Sequence, residues 1–245
     1  MGGDTWLEAV ERWERVLDTL EKNNVKMEAR KTFCFARCMD LLGWTKKGRF
    51  LIPDKHRQNT LLQARRPTTI KELRSFLGTF HTFHKCMKRQ SEVLGPLTKI
   101  LSGSLSSSTK IQWTEELNKS FEEAKKAAAD LDEIYTTKKD EQLLIQADYA
   151  EKGVDEGKGI SGTLWAVSSK DKERRVVARM SAELQPQQEN LSPCDGEATA
   201  IYVAAKSPHF STAIQASTKR TICLTDNKPV VEAASLLQAG KFSTS

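Results

Sequence analysis

Apolar residues recur every three to four positions near the start of the chain, with polar residues between them. Over residues 5–24 this pattern runs from Trp6 to Leu20, so it predicts an amphipathic helix that ends near Asn23. The next two stretches are VKMEARKTFCFA and CMDLLGWTKKGRFLIP. They predict short strands around turns, because Gly43 and Gly48 supply turn positions and Pro53 ends the second stretch.

The middle of the chain predicts further helices. In RPTTIKELRSFLGTFHTFHKCM, Thr69 is a candidate N-cap and Glu72 stands three residues later, as in a capping box. One apolar face continues from Ile70 to Phe83. VLGPLTKILSG predicts a short helix, and residues 115–131 predict a longer one. Between them, residues 102–109 (SGSLSSST) have the composition of a linker.

The periodicity changes in the second half. Residues 141–149, 159–168 and 174–181 predict three strands joined by charged turns. A helix should follow, with Ser192 as N-cap and Pro193 at its first position. RTICLT predicts a fourth strand that ends at Asp226, and NKPVVEAASLLQAG predicts another helix. The order β-β-β-α-β-α predicts a mixed α/β (α+β) fold with a three-strand meander and a helical crossover.

Positive charge is concentrated in one segment. The chain of 245 residues has a net charge of +6, yet residues 30–100 hold 16 Lys and Arg against four acids. Such a field favours a polyanionic partner, either nucleic acid or an anionic membrane surface. The alternative is an ordinary solvated basic face.

Composition narrows the class of protein. The apolar content is 38% and the charged content 29%, and no apolar run approaches the length of a membrane-spanning helix. The N-terminal segment is acidic and does not resemble a signal peptide. The five cysteines are odd in number and irregular in spacing, which favours reduced thiols over disulfides or a zinc site. We therefore expect an intracellular protein, in a cytoplasmic particle or the nucleus.

Three acids occupy corresponding positions in the predicted α/β fold. Asp148 lies at the end of the first strand, Glu197 in the first turn of the helix, and Asp226 at the end of the fourth strand. A meander followed by a crossover can bring these positions to one sheet edge, where carboxylates can bind Mg²⁺. The alternative is that each acid caps a turn or a helix end.

Several segments resemble one family, in that family's order. IQADYAEKGVDEGKGISGTLW, ENLSPCDGEATAIYVAAK and ICLTDNKPVVEA resemble the ribonuclease H domain of a gypsy-like long-terminal-repeat retrotransposon Pol polyprotein. ERVLDTLEKNNVKMEARKTFCFARCMDLLGW resembles the end of its reverse-transcriptase palm, and RPTTIKELRSFLGTFHTFHKCM resembles its thumb and connection. The resemblance implies a palm remnant over residues 1–54, a helical thumb or connection over 55–105, and a ribonuclease H-like domain over 110–245.

The resemblance also implies an activity. The family's ribonuclease H cuts the RNA strand of an RNA–DNA hybrid with two Mg²⁺ (or Mn²⁺) ions. Asp148, Glu197 and Asp226 match its catalytic, metal-binding acids. The partner is then RNA–DNA hybrid or another nucleic acid, not a membrane. Cations of the thumb-like segment should hold its phosphates: Arg65, Arg66, Lys71, Arg74, Lys85, Lys88 and Arg89.

The sequence departs from the family pattern in places. It contains no adjacent Asp pair, which the family's polymerase needs, and GKFSTS ends before the family's fourth ribonuclease H carboxylate. The turn VDEGKG is longer and more acidic than the family's. We therefore expect a ribonuclease H-like domain incomplete at its C-terminus, with weak or no activity. Two alternatives remain: a domesticated or decayed protein that binds nucleic acid without catalysis, and a helical interaction protein.

Overall fold

The computed structural model describes residues 5–103, 105–151, 158–168, 171–184 and 191–238. Most of the VDEGKG turn and all of GKFSTS lie outside the described residues. The chain divides into two compact units, Met1–Met39 and Asp40–Ser245. The boundaries predicted at residues 54, 105 and 110 concern a finer division, and they stay predictions.

The first unit is built around one helix. Helix α1 spans Trp6–Lys22, and the Thr5 side chain accepts a hydrogen bond from the Glu8 N–H at its start. The strand predicted within residues 25–36 is wrong, because the structure has a 3-10 turn at Ala29–Lys31. The Thr32 hydroxyl donates to the Glu28 carbonyl at 2.8 Å, which closes this turn locally instead of extending the chain.

The second unit begins with a small sheet. Its order is β1-β2-β3-β4, from strands Cys38–Leu41 (β1, which starts before the unit boundary), Trp44–Lys47 (β2), Phe50–Pro53 (β3) and Ile134–Tyr135 (β4). Gly43 and Gly48 have φ of +87° and +56°, so both predicted turn positions adopt the left-handed conformation that glycine tolerates.

Four helices pack beside this sheet: Lys55–Leu62 (α2), Ile70–His81 (α3), Gln90–Lys99 (α4) and Glu115–Ala129 (α5). They enclose an apolar cluster in which Phe80 and Phe83 are fully buried. The segment that the sequence predicted as a linker, residues 102–109, is bound to α3. The carbonyls of Thr109 and Ser107 accept hydrogen bonds from the first N–H groups of that helix. Those N–H groups have no partner within the helix, so the Ser-rich segment satisfies them.

The remaining strands form a second sheet of order β7-β6-β5-β8. They are Gln142–Glu151 (β5), Lys158–Val167 (β6), Arg174–Glu183 (β7) and Ile222–Leu224 (β8), with β8 parallel to β5 and the other pairs antiparallel. Helices Pro193–Lys206 (α6) and Pro208–Ala216 (α7) make the crossover, and Lys228–Gln238 (α8) follows β8. The predicted mixed α/β fold is confirmed, with α2, α7 and β4 as additional elements.

Side chains of β5 alternate between the two faces of the sheet. Leu143, Ile145 and Ala147 are buried in the second apolar cluster, which α6 and α7 cover. Gln146 and Asp148 point to the other face and are exposed. Among the described helices none is long and apolar enough to cross a membrane.

A histidine pair joins the segment after α3 to the start of α7. His84 Nε2 lies 3.2 Å from His209 Nδ1, and His84 Nδ1 lies 2.6 Å from the His81 carbonyl. Since a carbonyl can only accept, His84 Nδ1 carries a hydrogen and His209 donates to His84 Nε2. Burial lowers the pKa of His209 to about 4, and positive charge from His84, Lys85 and His81 adds to this shift.

This pair predicts a loss of stability in mild acid. Folding lowers the pKa of His209, so protonation of this ring favours the unfolded chain. Its contribution to the free energy of unfolding is complete above pH 6.5 and falls as the pH drops towards 4. We expect a loss on the order of 1 kcal/mol, because water screens this half-exposed ring. Urea unfolding at pH 7.5 and 4.5 measures it. His209→Gln should lose less stability between these pH values than the wild type. The control is His56→Gln, at an exposed position of α2, which should lose the same amount as the wild type.

Candidate active site

Two of the predicted acids are brought together by the parallel pairing of β5 and β8. Gln146 lies opposite Leu224 in this pair. Asp148 and Asp226 each follow that pair by two residues, so they lie side by side at the same edge of the sheet. Both side chains are exposed, and both line a cavity of about 560 Å³ on the face of the sheet away from α6.

The third acid comes from the helix that crosses this edge. Glu197 is the fifth residue of α6, one position past the predicted first turn, and its Oε1 accepts a hydrogen bond of 3.3 Å from the Tyr149 N–H. The residue before it, Gly196, is buried, and the Tyr149 ring occupies the space where a Cβ would stand. A glycine at this position therefore lets α6 approach β5 closely enough for Glu197 to reach Tyr149.

The charges of both aspartates act on the Glu197 carboxyl. Burial raises the pKa of the Glu197 carboxyl, the Tyr149 N–H opposes that shift, and the charges of Asp148 and Asp226 raise the pKa further. Like charges held at one sheet edge repel each other unless a cation or a proton lies between them. The site is therefore arranged for positive charge.

The three acids can be compared with the ligands that a divalent metal requires. Three carboxylates are the hard oxygen ligands that Mg²⁺ and Mn²⁺ prefer, so the chemistry of the donors fits. Their placement is more open: within the part of the chain that the structure describes, no three His, Cys, Asp or Glu side chains close around a common metal position. The acids thus share one edge without forming a tight cage.

The cavity beside the acids contains residues that the sequence did not indicate. Ser161, Thr163 and Trp165 line it from β6, and Arg174 and Arg179 line it from β7. The Arg179 guanidinium forms an ion pair with Asp132 and donates to Thr163 Oγ1 at 2.9 Å. The only sequence signal for these cavity residues was the alternation of side chains along each strand. To use that signal, the register of three strands would have to be known.

The seven cations predicted to bind nucleic acid are all exposed. Two of them are neutralised: Lys88 Nζ lies 2.8 Å from Asp130 Oδ2, and Arg89 pairs with Glu92. Arg66 donates to Asn118 Oδ1 at 2.8 Å, and its guanidinium lies 5.4 Å from the centre of the Trp113 ring. No ion pair with a described acid is formed by the remaining cations, which are Arg65, Lys71, Arg74 and Lys85.

Comparison with protein families bears on the sheet that carries the acids. Residues 113–219 match the RNase H-like domain found in reverse transcriptase. The matched RNase H-like region covers less than half of the chain and includes Asp148 and Glu197. Asp226 lies shortly after its end, on the parallel strand that the structure places beside β5. Comparison with curated proteins gave no match.

Solved structures extend the likeness of fold beyond the RNase H-like region. The foamy viral protease-reverse transcriptase dRH in complex with double-stranded DNA is 17% identical, covers 95% of this chain and gives a TM-score of 0.69. The foamy viral protease-reverse transcriptase with double-stranded DNA and with RNA/DNA hybrid gives the same TM-score at 16% identity over 100% of this chain. This chain covers 38%, 47% and 31% of those three chains, respectively.

Proposed function

We propose that this chain is part of the Pol polyprotein of a gypsy-like long-terminal-repeat retrotransposon, and that its RNase H-like region hydrolyses the RNA strand of RNA–DNA hybrids. The observation that carries the proposal is the meeting of Asp148, Glu197 and Asp226 at one sheet edge, where the two aspartates raise the pKa of the glutamate. The residue types and the helix position of Glu197 agree with the ribonuclease H resemblance, whereas Asp148 lies three residues before the end of β5 and not at its end.

The three acids are the residues that would hold Mg²⁺ or Mn²⁺. Such ions would supply a water nucleophile and would stabilise the leaving oxygen of a phosphodiester. The protein's part is to orient the carboxylates. The Tyr149 N–H fixes the Glu197 side chain against β5, and the β5–β8 pairing fixes the two aspartates.

Nucleic acid binding is the second part of the proposal. The cations before and along α3 that form no ion pair with a described acid (Arg65, Lys71 and Arg74) present positive charge to solvent, as does Lys85 beyond it; Arg74 also donates to Ser107 Oγ at 3.4 Å. Phosphate contacts of this kind are independent of sequence and sensitive to salt. The foamy viral structures that share this fold are complexes with DNA or RNA/DNA hybrid, which supports the same class of partner here.

Copying RNA into DNA would belong to the intact polyprotein. The 245 residues contain no adjacent Asp pair, so we assign no polymerase step to them. The hydrolytic step is the one that these residues can be tested for directly.

A cleavage assay tests the proposal. The chain is incubated with a hybrid whose RNA strand carries one fluorophore and whose DNA strand carries another, in Mg²⁺, in Mn²⁺ or in EDTA. We expect weak cleavage that yields fragments of the RNA strand alone, and only with a divalent metal. Metal-independent cleavage, or no cleavage over a wide range of metal concentrations, would contradict hydrolysis by this site.

A second candidate function is nucleic-acid binding without catalysis, in a domesticated or decayed product of such an element. The open placement of the three acids favours it, since no described group closes around a metal. Hybrid binding that weakens steeply with salt, without cleavage in Mg²⁺ or Mn²⁺, would identify this candidate.

A further inference from the structure

The cavity beside the acids has opposite charges at its two ends. Asp148 and Asp226 line one end beside Ser161, Arg179 lies opposite Thr163 on the wall between the ends, and Arg174 lines the far end, beyond Trp165. Ser161 lies opposite Asp148, and Trp165 is four residues further along β6. At about 3.4 Å per residue, Trp165 is about 13 Å from the acids along the sheet.

The two arginines of this cavity differ in how much of their charge is available. Arg179 is neutralised by Asp132, and its side chain is only 17% exposed, so it serves to fix the cavity wall. Arg174 is exposed and forms no ion pair with any described acid. Arg174 therefore provides the free positive charge at this end of the cavity.

The neighbouring arginine is a natural contrast. Arg175 follows Arg174 in β7, so its side chain points to the opposite face of the sheet. There it pairs with Asp171 and with Glu173, and its guanidinium lies 5.2 Å from the centre of the Tyr135 ring. One strand thus carries a neutralised arginine on one face and an unpaired one on the cavity face.

A second, independent observation points to a ligand in the cavity. The indole Nε1 of Trp165 is buried and has no hydrogen-bond partner among the described residues. Leaving a buried N–H unpaired costs free energy, and native proteins rarely do so without a ligand or water to accept the bond. Trp165 lines the cavity, and the Arg179 guanidinium lies 5.9 Å from the centre of its ring, so an acceptor oxygen bound in the cavity is a candidate partner for this N–H.

We propose that Arg174 and Trp165 form a subsite for a backbone phosphate of the bound nucleic acid, on the strand that passes the acids. The inference rests on the proposed function and adds a contact that none of the thumb-like cations provides. A phosphate offers a negative charge to Arg174 and acceptor oxygens to the indole N–H. Asp148 and Asp226 repel a phosphate at the other end of the cavity, so a position beside Arg174 is favoured over one nearer the acids.

The geometry also predicts which phosphate binds. A separation of about 13 Å corresponds to roughly four nucleotides, given an axial rise of about 3.4 Å per phosphate along one strand. The subsite therefore holds the strand a short distance from the bond that faces the acids. Its role is positioning, since Arg174 does not reach the reacting atoms.

Hybrid binding without divalent metal tests the subsite separately from hydrolysis. Fluorescence anisotropy in EDTA is measured for the full chain and for Arg174→Gln, Trp165→Phe and the matched control Arg175→Gln, with thermal unfolding to verify folding. We expect Arg174→Gln to bind about 3- to 10-fold more weakly, with a salt slope smaller by about 0.7 to 0.9. Trp165→Phe keeps an aromatic ring but removes the N–H donor, so it should bind about 2- to 5-fold more weakly, whereas Arg175→Gln should bind like the wild type.

Uncharged analogues of single phosphates in the hybrid then identify which phosphate contacts Arg174. Hybrids carrying one methylphosphonate at successive positions should include a position that weakens the wild type but leaves Arg174→Gln unaffected. If every position weakens both proteins equally, or if Arg174→Gln binds like Arg175→Gln, the subsite is wrong while the proposed hydrolysis still stands. If the wild type binds no hybrid, the subsite and the proposed function fail together.

Discussion

Replacing Asp148 by asparagine is expected to reduce metal-dependent cleavage of RNA–DNA hybrid by at least 100-fold. Asp148 is the acid that lies beside Asp226 and contributes to the raised pKa of Glu197. An amide keeps the size of the side chain but removes its charge, so the remaining pair attracts a divalent cation much less strongly. Losing one preorganised electrostatic group in an active site commonly costs about 10²- to 10³-fold in rate. Single-turnover cleavage in Mg²⁺ measures this loss.

The same substitution should not weaken the fold. Three carboxylates at one edge repel each other in the absence of metal, and asparagine removes part of that repulsion. We therefore expect Asp148→Asn to melt at the same temperature as the wild type in EDTA, or at a higher one, as is common where function requires destabilising groups. Asp140→Asn is the control, because Asp140 is an exposed acid outside the cavity. Equal cleavage rates for the two variants would remove Asp148 from the site.

The sequence predicted the acids because each of them stands at a boundary that is visible in the residue pattern. In the sequence, Asp148 and Asp226 end apolar runs, and Glu197 follows a strong N-cap signal at Ser192. In the structure β5 continues three residues past Asp148 and β8 ends two residues before Asp226, so the parallel register of the two strands, and not a shared strand end, places the aspartates side by side. The gypsy-like ancestry and the metal ions remain proposals, since neither the fold nor the matched RNase H-like region tests them.

The rest of the cavity depended on register, which the sequence did not indicate. Arg174 and Arg179 are five residues apart, yet they reach the same cavity because β6 and β7 pair with an irregularity between Leu164 and Trp165. A shift of one residue would send each side chain to the other face of the sheet. Periodicity identifies strands but not their bulges. The sequence therefore could not predict that the Arg174 side chain lies on the cavity face of the sheet.

The helices that the sequence did not predict have few apolar anchors. Helix α2 buries only Leu61, and α7 buries only Phe210, with Ala213 and Ile214 partly buried one turn later, so neither has a long apolar face. Each begins instead with a local cap: the Asp54 side chain accepts from the Arg57 N–H, and the Ser207 side chain accepts from the His209 N–H. Tertiary contact with one buried side chain completes these short helices, which isolated sequence patterns do not reveal.

Substituting alanine for glycine should have opposite effects at two helical positions. In α3, a Cβ at Gly78 would meet no atom within 4 Å, and in α6 a Cβ at Gly196 would lie 2.5 Å from Tyr149 Cδ1. Gly78→Ala should stabilise the protein by about 0.5 to 1 kcal/mol, because alanine is the better helix former. Gly196→Ala should destabilise it by about 2 kcal/mol, because the ring or the helix must move.

The damage at Gly196 should extend to activity. Displacing the Tyr149 ring or α6 lengthens the hydrogen bond from the Tyr149 N–H to Glu197, which orients the carboxylate towards the two aspartates. A misplacement of about 1 Å in a catalytic group can cost on the order of 100-fold in rate, so we expect Gly196→Ala to cleave hybrid at least 10-fold more slowly. Urea unfolding and single-turnover cleavage of both variants measure the two effects. Equal stability and equal rates for Gly78→Ala and Gly196→Ala would mean that the close approach of α6 to β5 does not hold the acids in place.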